Sequence, residues 1–186
     1  QLMRFETIFI GNESPFLERL SNISRLSGVV CEPIQGVSKK VFGSTYQFAK
    51  ERKIEIISPS AFLKKPRPSD IIVISGFSKF IPGRVIKSTR VATINVHQSL
   101  LPAYRGRHPL NWAIIKGENY TGVTLHHVNE SFDAGNIILQ KKVKISKKDN
   151  IMDLYWKTVE KGRDLLCTFF KNAKKFEISG FRQNPD

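Results

Sequence analysis

Residues 70–75 read Asp-Ile-Ile-Val-Ile-Ser, a short apolar run without polar alternation. Runs of this kind are typical of strands buried on both faces, at the centre of a parallel sheet. The segment therefore predicts a sheet that is covered by helices on both sides.

The segments on either side alternate between strand and helix patterns. Toward the N-terminus we predict a strand, a helix, a strand, a helix and a strand: Arg4 to Gly11, a helix capped at Ser14-Pro15, Gly28 to Cys31, Tyr46 to Arg52 and Ile54 to Ile57. Toward the C-terminus we predict a strand, a short helix, two strands and a long amphipathic helix: Val91 to His97, Pro109 to Lys116, Gly122 to Val128, Asn136 to Val143 and the stripe from Ile151 to Phe169. This alternation predicts an α/β fold with a doubly wound, mostly parallel sheet, in which ligands bind at the carboxyl ends of the strands.

Length and composition are those of one globular domain. The chain has 186 residues, of which 40% are hydrophobic and 25% charged, so we expect a single domain over residues 1–186. No apolar stretch is long enough for a membrane span, and the first ten residues lack the order of a secretory signal, so we expect a cytoplasmic protein without a membrane partner. The two cysteines, Cys31 and Cys167, are interpreted as reduced core thiols.

The charge balance is strongly basic. Thirty Lys and Arg against sixteen Asp and Glu give a net charge of +14, which would attract acidic partners such as nucleotides, phosphosugars or RNA. The densest cluster consists of five lysines: Lys141, Lys142, Lys144, Lys147 and Lys148. Lysine runs are more often solvated surface than binding sites, so the charge indicates the sign of a partner and not its identity.

Polar side chains at one predicted strand end carry the candidate chemistry. Asn95 and His97 lie two residues apart in a strand and therefore project from the same face. The turn from Asn129 to Gly135 could bring the carboxylate of Asp133 to the same place. An amide, an imidazole and a carboxylate suffice for attack on a carbonyl carbon by an external nucleophile. Asn95 and His97 would stabilise the oxyanion of a tetrahedral intermediate, while Asp133 would orient the imidazole and raise its pKa.

Taken alone, an Asn-x-His pair is more often a loop anchor than a catalytic site. The remaining histidines are interpreted as structural or surface residues: His108, His126 and His127. The longer segment from Thr93 to Gln140 is more specific, because it contains Asn-x-His-x-Ser-Leu-Leu-Pro, then Gly-Val-Thr, then Asp-x-Gly.

With these motifs the chain resembles the formyltransferases that use 10-formyltetrahydrofolate, over about Phe5 to Ile178. The matching positions are Asn95, His97, Ser99, Leu100, Leu101, Pro102, Gly106, Gly122, Val123, Thr124, Asp133 and Gly135. The resemblance implies a Rossmann-like fold, a catalytic triad of Asn95, His97 and Asp133, and 10-formyltetrahydrofolate as co-substrate without a metal.

The resemblance also implies where the folate and the acceptor bind. The pterin end of the folate would contact Val128, Asn129 and a loop after the fourth strand. That loop consists of Phe77, Ser78, Lys79, Phe80 and Ile81. The segment from Tyr104 to Trp112 is most similar to nucleotide-linked amino-sugar N-formyltransferases. Four residues are predicted to bind the acceptor: Gly11, Arg105, Gly106 and Arg107.

Two other acceptors are compatible with the motifs. Methionyl-tRNA formyltransferases share the catalytic domain, and a charge of +14 suits RNA, but those enzymes add a β-rich C-terminal domain that we do not find within these 186 residues. Glycinamide ribonucleotide formyltransferases have a similar Val-Thr-Leu-His-His-Val segment. Their phosphate-binding turn is not reproduced, because Glu13 would repel a phosphate and Pro15 removes a backbone donor.

Two further functions differ in kind. A formyltetrahydrofolate hydrolase would deliver water in place of an amine, and the triad does not separate it from a transferase. A non-catalytic basic domain that binds RNA or nucleotide could use the same fold. It would have no physical reason to keep the triad, so we expect an enzyme. The oligomeric state is left open.

Overall fold

The computed structural model describes residues 5–33, 44–176 and 180–183, without the side chains of 174–176. Its internal contacts group the chain into two compact units, Gln1–Ile94 and Asn95–Asp186, so that the boundary falls inside one strand. The expectation of a single domain stays a prediction.

The described residues form seven strands and six helices. The strands are β1 Glu6–Gly11, β2 Arg25–Val30, β3 Ile56–Ile57, β4 Ser69–Ser75, β5 Thr89–His97, β6 Tyr120–His127 and β7 Ile137–Lys144. The helices are α1 Ser14–Ile23, α2 Thr45–Glu51, α3 Pro59–Lys64, α4 Gly83–Ile86, α5 Pro109–Ile115 and α6 Ile151–Phe176. The sheet order is β3-β2-β1-β4-β5-β6-β7. The predicted α/β class is confirmed.

In the first unit, β1 pairs in parallel with β2 on one side and with β4 on the other. The apolar run that predicted a central strand is buried as expected, since Ile71, Ile72 and Val73 are fully inaccessible. β1 and β4 end side by side at Gly11 and Ser75. A Cβ atom at Gly11 would lie 1.8 Å from the carbonyl oxygen of Ser75, and its φ is +132°, so this close approach requires glycine.

The start of α1 differs from the prediction. Ser14 is already the first helical residue, so the prediction that it caps the helix is wrong; Glu13 is at the cap position. The Glu13 side chain makes no capping contact, because its carboxyl accepts a hydrogen bond from the Ser75 hydroxyl instead. Pro15 lies in the first turn as predicted. The short helices α3 and α4 were not predicted, since six and four residues are too few to show a helical period.

In the second unit, β7 runs antiparallel to β6, with Leu125 opposite Leu139. The long helix α6 packs against both strands and buries most of the predicted apolar stripe, including Leu154, Leu166 and Phe169. Its first residue, Ile151, is exposed. Its backbone is kinked at Asn172. None of the described helices has the length and apolarity needed to cross a membrane.

The lysine cluster of β7 and the following loop is surface, as interpreted from the sequence, and all five side chains are exposed. Lys141 forms an ion pair of 3.1 Å with Asp164 of α6, and the Lys142 ammonium lies 3.9 Å from the centre of the Tyr120 ring.

Candidate active site

The carboxyl end of β5 presents two polar side chains to the turn between β6 and β7. Asn95 Nδ2 donates to Asp133 Oδ1 at 3.2 Å, and His97 Nδ1 lies 3.6 Å from Asp133 Oδ2. Val96, between them, is buried with 4% exposure, as strand alternation requires. The structure therefore brings together the amide, the imidazole and the carboxylate that the sequence suggested.

The Asp133 carboxylate is held by the loop that follows β5. The Gly106 N–H donates to Asp133 Oδ2 at 2.9 Å. Asp133 has a φ of +49°, a left-handed conformation that costs a non-glycine residue free energy and persists only where its surroundings hold it. Gly135 lets the turn close, because a Cβ atom there would lie 1.7 Å from the His127 carbonyl oxygen.

The pKa of Asp133 is low. Burial by itself would raise the pKa of this carboxyl. The hydrogen bond and charge that a protonated His126 can supply, the charge that His97 can carry and the Gly106 N–H outweigh this effect and lower the pKa from 3.8 to about 2. Asp133 is therefore ionised at neutral pH.

His97 is buried, with 6% exposure, and its tautomer follows from its contacts. Nε2 lies 2.8 Å from the Tyr104 carbonyl oxygen, which can only accept, so Nε2 carries the proton and Nδ1 faces Asp133. Burial lowers the pKa of His97 below 6.5, and this outweighs the opposite effects of the Asp133 carboxylate and the Tyr104 carbonyl. The expectation that Asp133 leaves His97 with a raised pKa is thus wrong in its net result, because desolvation is the larger effect.

His126 is a site residue that the sequence interpretation missed. It is 2% exposed, its Nδ1 donates to its neighbour's backbone carbonyl at 2.8 Å, and its Nε2 accepts from Asn95 Nδ2 at 3.0 Å. The same Nε2 lies 3.5 Å from Asp133 Oδ1. The available signal was a polar residue near the end of β6, as Asn95 is near the end of β5. Both N–H groups of Asn95 are consequently engaged, by His126 and by Asp133.

The loop predicted to bind the acceptor is itself tied down. Arg105 donates from Nε and Nη2 to Gln183 Oε1, at 3.0 and 2.6 Å. Gly106 has a φ of +92° and uses its N–H on Asp133, while Arg107 is exposed. The Tyr104 hydroxyl donates to Glu118 Oε1 at 2.5 Å. The guanidinium of Arg105 therefore has a protein partner for two of its three nitrogens.

The residues predicted to bind folate occur in both units. Val128 is half-buried, and Asn129 is exposed and accepts from the Ser131 N–H at 3.0 Å. In the first unit, the residues that follow β4 are mixed in exposure: Ile81 is buried, Phe80 is 48% exposed, and Lys79 forms an ion pair of 2.7 Å with Glu32. Phe77 is half-buried and Ser78 exposed. Their predicted role stays a prediction.

Beside Gly11, the ends of β1 and β4 hold a carboxyl group in an unusual state. Burial raises the pKa of Glu13 to about 7, against the opposing effect of the Ser75 hydrogen bond. The adjacent Asn12 Oδ1 is buried without a hydrogen-bond partner in the described part of the chain.

Comparison with known proteins identifies the family to which this chain belongs. The family model described as formyl transferase matches residues 32–169. A methionyl-tRNA formyltransferase of Fusobacterium nucleatum is 30% identical over an alignment of 190 positions, gaps included. The alignment covers 95% of this chain and 61% of that protein. The chain thus spans about three fifths of the length of the curated relatives that it matches.

Two solved structures share the fold. An N-formyltransferase from Helicobacter canadensis, in complex with folinic acid and dTDP-3-aminofucose, superposes with a TM-score of 0.77 at 21% identity, over 96% of this chain and 67% of that one. A phosphoribosylglycinamide formyltransferase from Streptococcus pneumoniae superposes with a TM-score of 0.75 at 17% identity, over 94% and 99%.

Proposed function

The chain belongs to the formyl transferase family, and we propose that it transfers a formyl group from 10-formyltetrahydrofolate to a primary amine. The observation that carries this proposal is the cluster of Asn95, His97 and Asp133. The Asn95 amide and the His97 imidazole, at the end of β5, lie 3.2 and 3.6 Å from the two carboxylate oxygens of Asp133.

The residues present fit such a donor. It would supply a formyl carbon already bonded to nitrogen, so that the protein needs to orient the carbon, stabilise negative charge on its oxygen and move one proton. The cluster holds an amide that can donate to the formyl oxygen, and an imidazole and an ionised carboxylate that can together hold the proton. We assign the pterin contacts to the segment Phe77 to Ile81 and to Val128 and Asn129.

The protonation states support a base at this site. With Asp133 ionised and His97 neutral at neutral pH, Nδ1 of His97 is free of hydrogen and faces the carboxylate. A proton that leaves the attacking amine can be held between Nδ1 and Asp133 Oδ2. The pair then returns this proton to the nitrogen from which the formyl group departs. General acid–base transfer of this kind contributes roughly a hundredfold to ten-thousandfold to the rate.

Asn95 is the proposed oxyanion donor, and its present hydrogen bonds limit how it can act. Its amide would donate to the developing oxyanion, a contribution of about 2.7 to 4 kcal/mol for one donor. Because both N–H groups are engaged, one contact must be exchanged as charge develops. We assign the exchange to the longer contact, at 3.2 Å with Asp133, while the 3.0 Å contact with His126 holds the amide in place.

A nucleotide-linked amino sugar is the first acceptor that we propose. The loop from Tyr104 to Trp112 supports it by its resemblance to enzymes of that class, and the exposed Arg107 lies in that loop. The protein from Helicobacter canadensis, solved with dTDP-3-aminofucose, has the same fold.

Methionyl-tRNA is a second candidate, which the sequence relatives favour. The protein from Fusobacterium nucleatum is similar over 95% of this chain, and a net charge of +14 would favour an RNA acceptor through release of counterions.

An acceptor panel tests the proposal. The protein is incubated with 10-formyltetrahydrofolate and one of four additions: dTDP- or UDP-linked amino sugars, methionyl-tRNA, glycinamide ribonucleotide or no acceptor. Release of tetrahydrofolate and formylation of the acceptor are both measured. Formylation of one acceptor supports transfer and identifies its class. Release without any acceptor would indicate a hydrolase, and no release with any of them overturns the proposal.

Asn95→Ala and Asn22→Ala serve as a matched pair in this assay. Asn22 is an exposed asparagine of α1, whose side-chain amide donates to the Glu18 carbonyl of its own helix. We expect the Asn95 variant to lose about a hundredfold in turnover or more, as removal of an oxyanion donor does, and the Asn22 variant to keep the parental rate.

A further inference from the structure

The described segment 180–183 is attached to the start of β7. The Phe181 N–H donates to the Ile137 carbonyl at 2.8 Å, and the Ile137 N–H donates to the Phe181 carbonyl at 2.9 Å. Gly180 permits this approach, since a Cβ atom there would lie 2.8 Å from Asn136 Cβ. The bridge places Gln183 next to the turn that carries Asp133.

Gln183 is 6% exposed and makes four hydrogen bonds. Its Nε2 donates to the Asp133 carbonyl at 2.8 Å and to the Gly135 carbonyl at 2.7 Å. Its Oε1 accepts twice from Arg105, at 3.0 and 2.6 Å. An amide offers two donors and two acceptor sites, so its hydrogen-bonding capacity is filled. The orientation of the amide is also determined, because the reverse one would oppose oxygen to two carbonyl oxygens and NH2 to a guanidinium.

This amide joins two segments that meet at Asp133. Through Arg105 it binds the loop after β5, whose next residue, Gly106, donates its N–H to the Asp133 carboxylate. Through Nε2 it binds the backbone of Asp133, whose φ of +49° is unfavourable for a side-chain-bearing residue. The position of the carboxylate relative to its N–H donor therefore depends on Gln183.

We propose that Gln183 is a positioning residue for Asp133, which acts by holding the carboxylate in register with the Gly106 N–H and with His97. The inference rests on the proposed function for its catalytic consequence. A second consequence does not depend on activity. Loss of the Gln183 hydrogen bonds lengthens the contact between the Gly106 N–H and the Asp133 carboxylate, so that the pKa of Asp133 rises toward its ordinary value.

Two substitutions distinguish the hydrogen bonds that the Gln183 amide donates from those that it accepts. Gln183→Met keeps a similar length and removes all four hydrogen bonds. Gln183→Glu keeps the acceptor for Arg105 but replaces the two donors by an oxygen that faces two carbonyls. The control is Gln47→Met, at an exposed glutamine of α2 whose side-chain amide donates to Glu51 of its own helix.

For both Gln183 variants we expect turnover to fall by about tenfold to a hundredfold, the range of a displacement of up to about 1 Å in a catalytic group. The KM for 10-formyltetrahydrofolate should stay within about twofold, because Gln183 hydrogen-bonds none of the residues assigned to the pterin. The acid limb of kcat/KM should move to lower pH, because a displaced Asp133 carboxylate raises the pKa of His97 less.

The carboxyl ¹³C signal of Asp133, assigned with Asp133→Asn, is followed in the same variants between about pH 3 and 6. We expect a flat signal in the parent and in Gln47→Met, and a titration in the Gln183 variants. If the parent transfers no formyl group, the proposed function fails while this titration still tests the positioning. A flat Asp133 signal in the Gln183 variants overturns the inference. A lower melting temperature with a flat signal overturns it too, since Gln183 would then stabilise the fold without positioning the carboxylate. If Gln183→Met does not fold, Gln183→Glu alone decides by the same criterion.

Discussion

His97 Nδ1 and Asp133 Oδ2 face each other at 3.6 Å, while the other nitrogen of the imidazole donates to the Tyr104 carbonyl. Neither atom of the facing pair carries a hydrogen when His97 is neutral and Asp133 is ionised. The pair is therefore arranged to receive a proton, and the buried carboxylate stabilises the imidazolium that results.

His97→Ala should lower turnover by about a hundredfold or more, since it removes the group that holds the transferred proton. The far-ultraviolet circular dichroism spectrum should be unchanged. Initial rates of tetrahydrofolate release at saturating acceptor measure the effect. A near-parental rate would remove His97 from the mechanism.

The pH profile of the parent protein depends on the same residue. Because burial lowers the pKa of His97 below 6.5, the neutral base persists to lower pH, and we expect the acid limb of the kcat/KM profile below 6.5. Rates measured from pH 5 to 8 in buffers of constant ionic strength test this. An acid limb above 6.5 contradicts a neutral, desolvated His97.

Asp133→Asn should reduce both turnover and stability. The folded pKa of about 2 is below the ordinary value of 3.8, so this carboxylate stabilises the fold above pH 3.8, and that stability is lost as the pH falls toward 2. The whole shift corresponds to about 2 kcal/mol at neutral pH. Urea unfolding at pH 7 should show a loss of that order. Asp164→Asn, at an exposed surface pair, should change the free energy of unfolding by less than about 1 kcal/mol.

His126→Leu tests the second partner of Asn95. Leucine has a volume similar to that of histidine but no ring nitrogen. It therefore leaves one part-buried N–H of Asn95 without its acceptor, which costs about 1 to 3 kcal/mol of stability. We expect turnover to fall because the amide can then turn away from its working orientation. Unfolding and kcat are measured together, and unchanged values of both would show that His126 does not orient Asn95.

Glu13→Gln should change how stability depends on pH. The folded pKa of about 7 is above the ordinary value of 4.5, so the protonated carboxyl favours the fold below pH 4.5 and stability declines as the pH rises to 7. The glutamine variant should lack this decline and be more stable above pH 7, by as much as about 3 kcal/mol.

Urea unfolding between about pH 4.5 and 8 measures the difference, with Glu51→Gln of α2 as an exposed control. Parallel curves for the parent and the Glu13 variant would contradict burial of an uncharged carboxyl.

The strands and the catalytic pair could be predicted because their signals are local. The apolar run at 70–75 becomes β4, and the spacing of Asn95 and His97 places both on one face of β5, since side-chain alternation is a property of the extended backbone. The start of α1 was mispredicted for the opposite reason: the Glu13 carboxyl contacts Ser75, 62 residues away, and no local pattern contains that contact.

The sequence by itself determined the fold class, the family and the three groups at the end of β5. Only the tertiary structure decided which side chains hold those groups and in what protonation state. His126 binds Asn95 across 31 residues and Gln183 binds Asp133 across 50, so both depend on how distant segments pack. The pKa of His97 likewise follows from burial, which outweighs the carboxylate beside it. Desolvation depends on everything that surrounds a group in space, and a linear pattern of residues does not contain it.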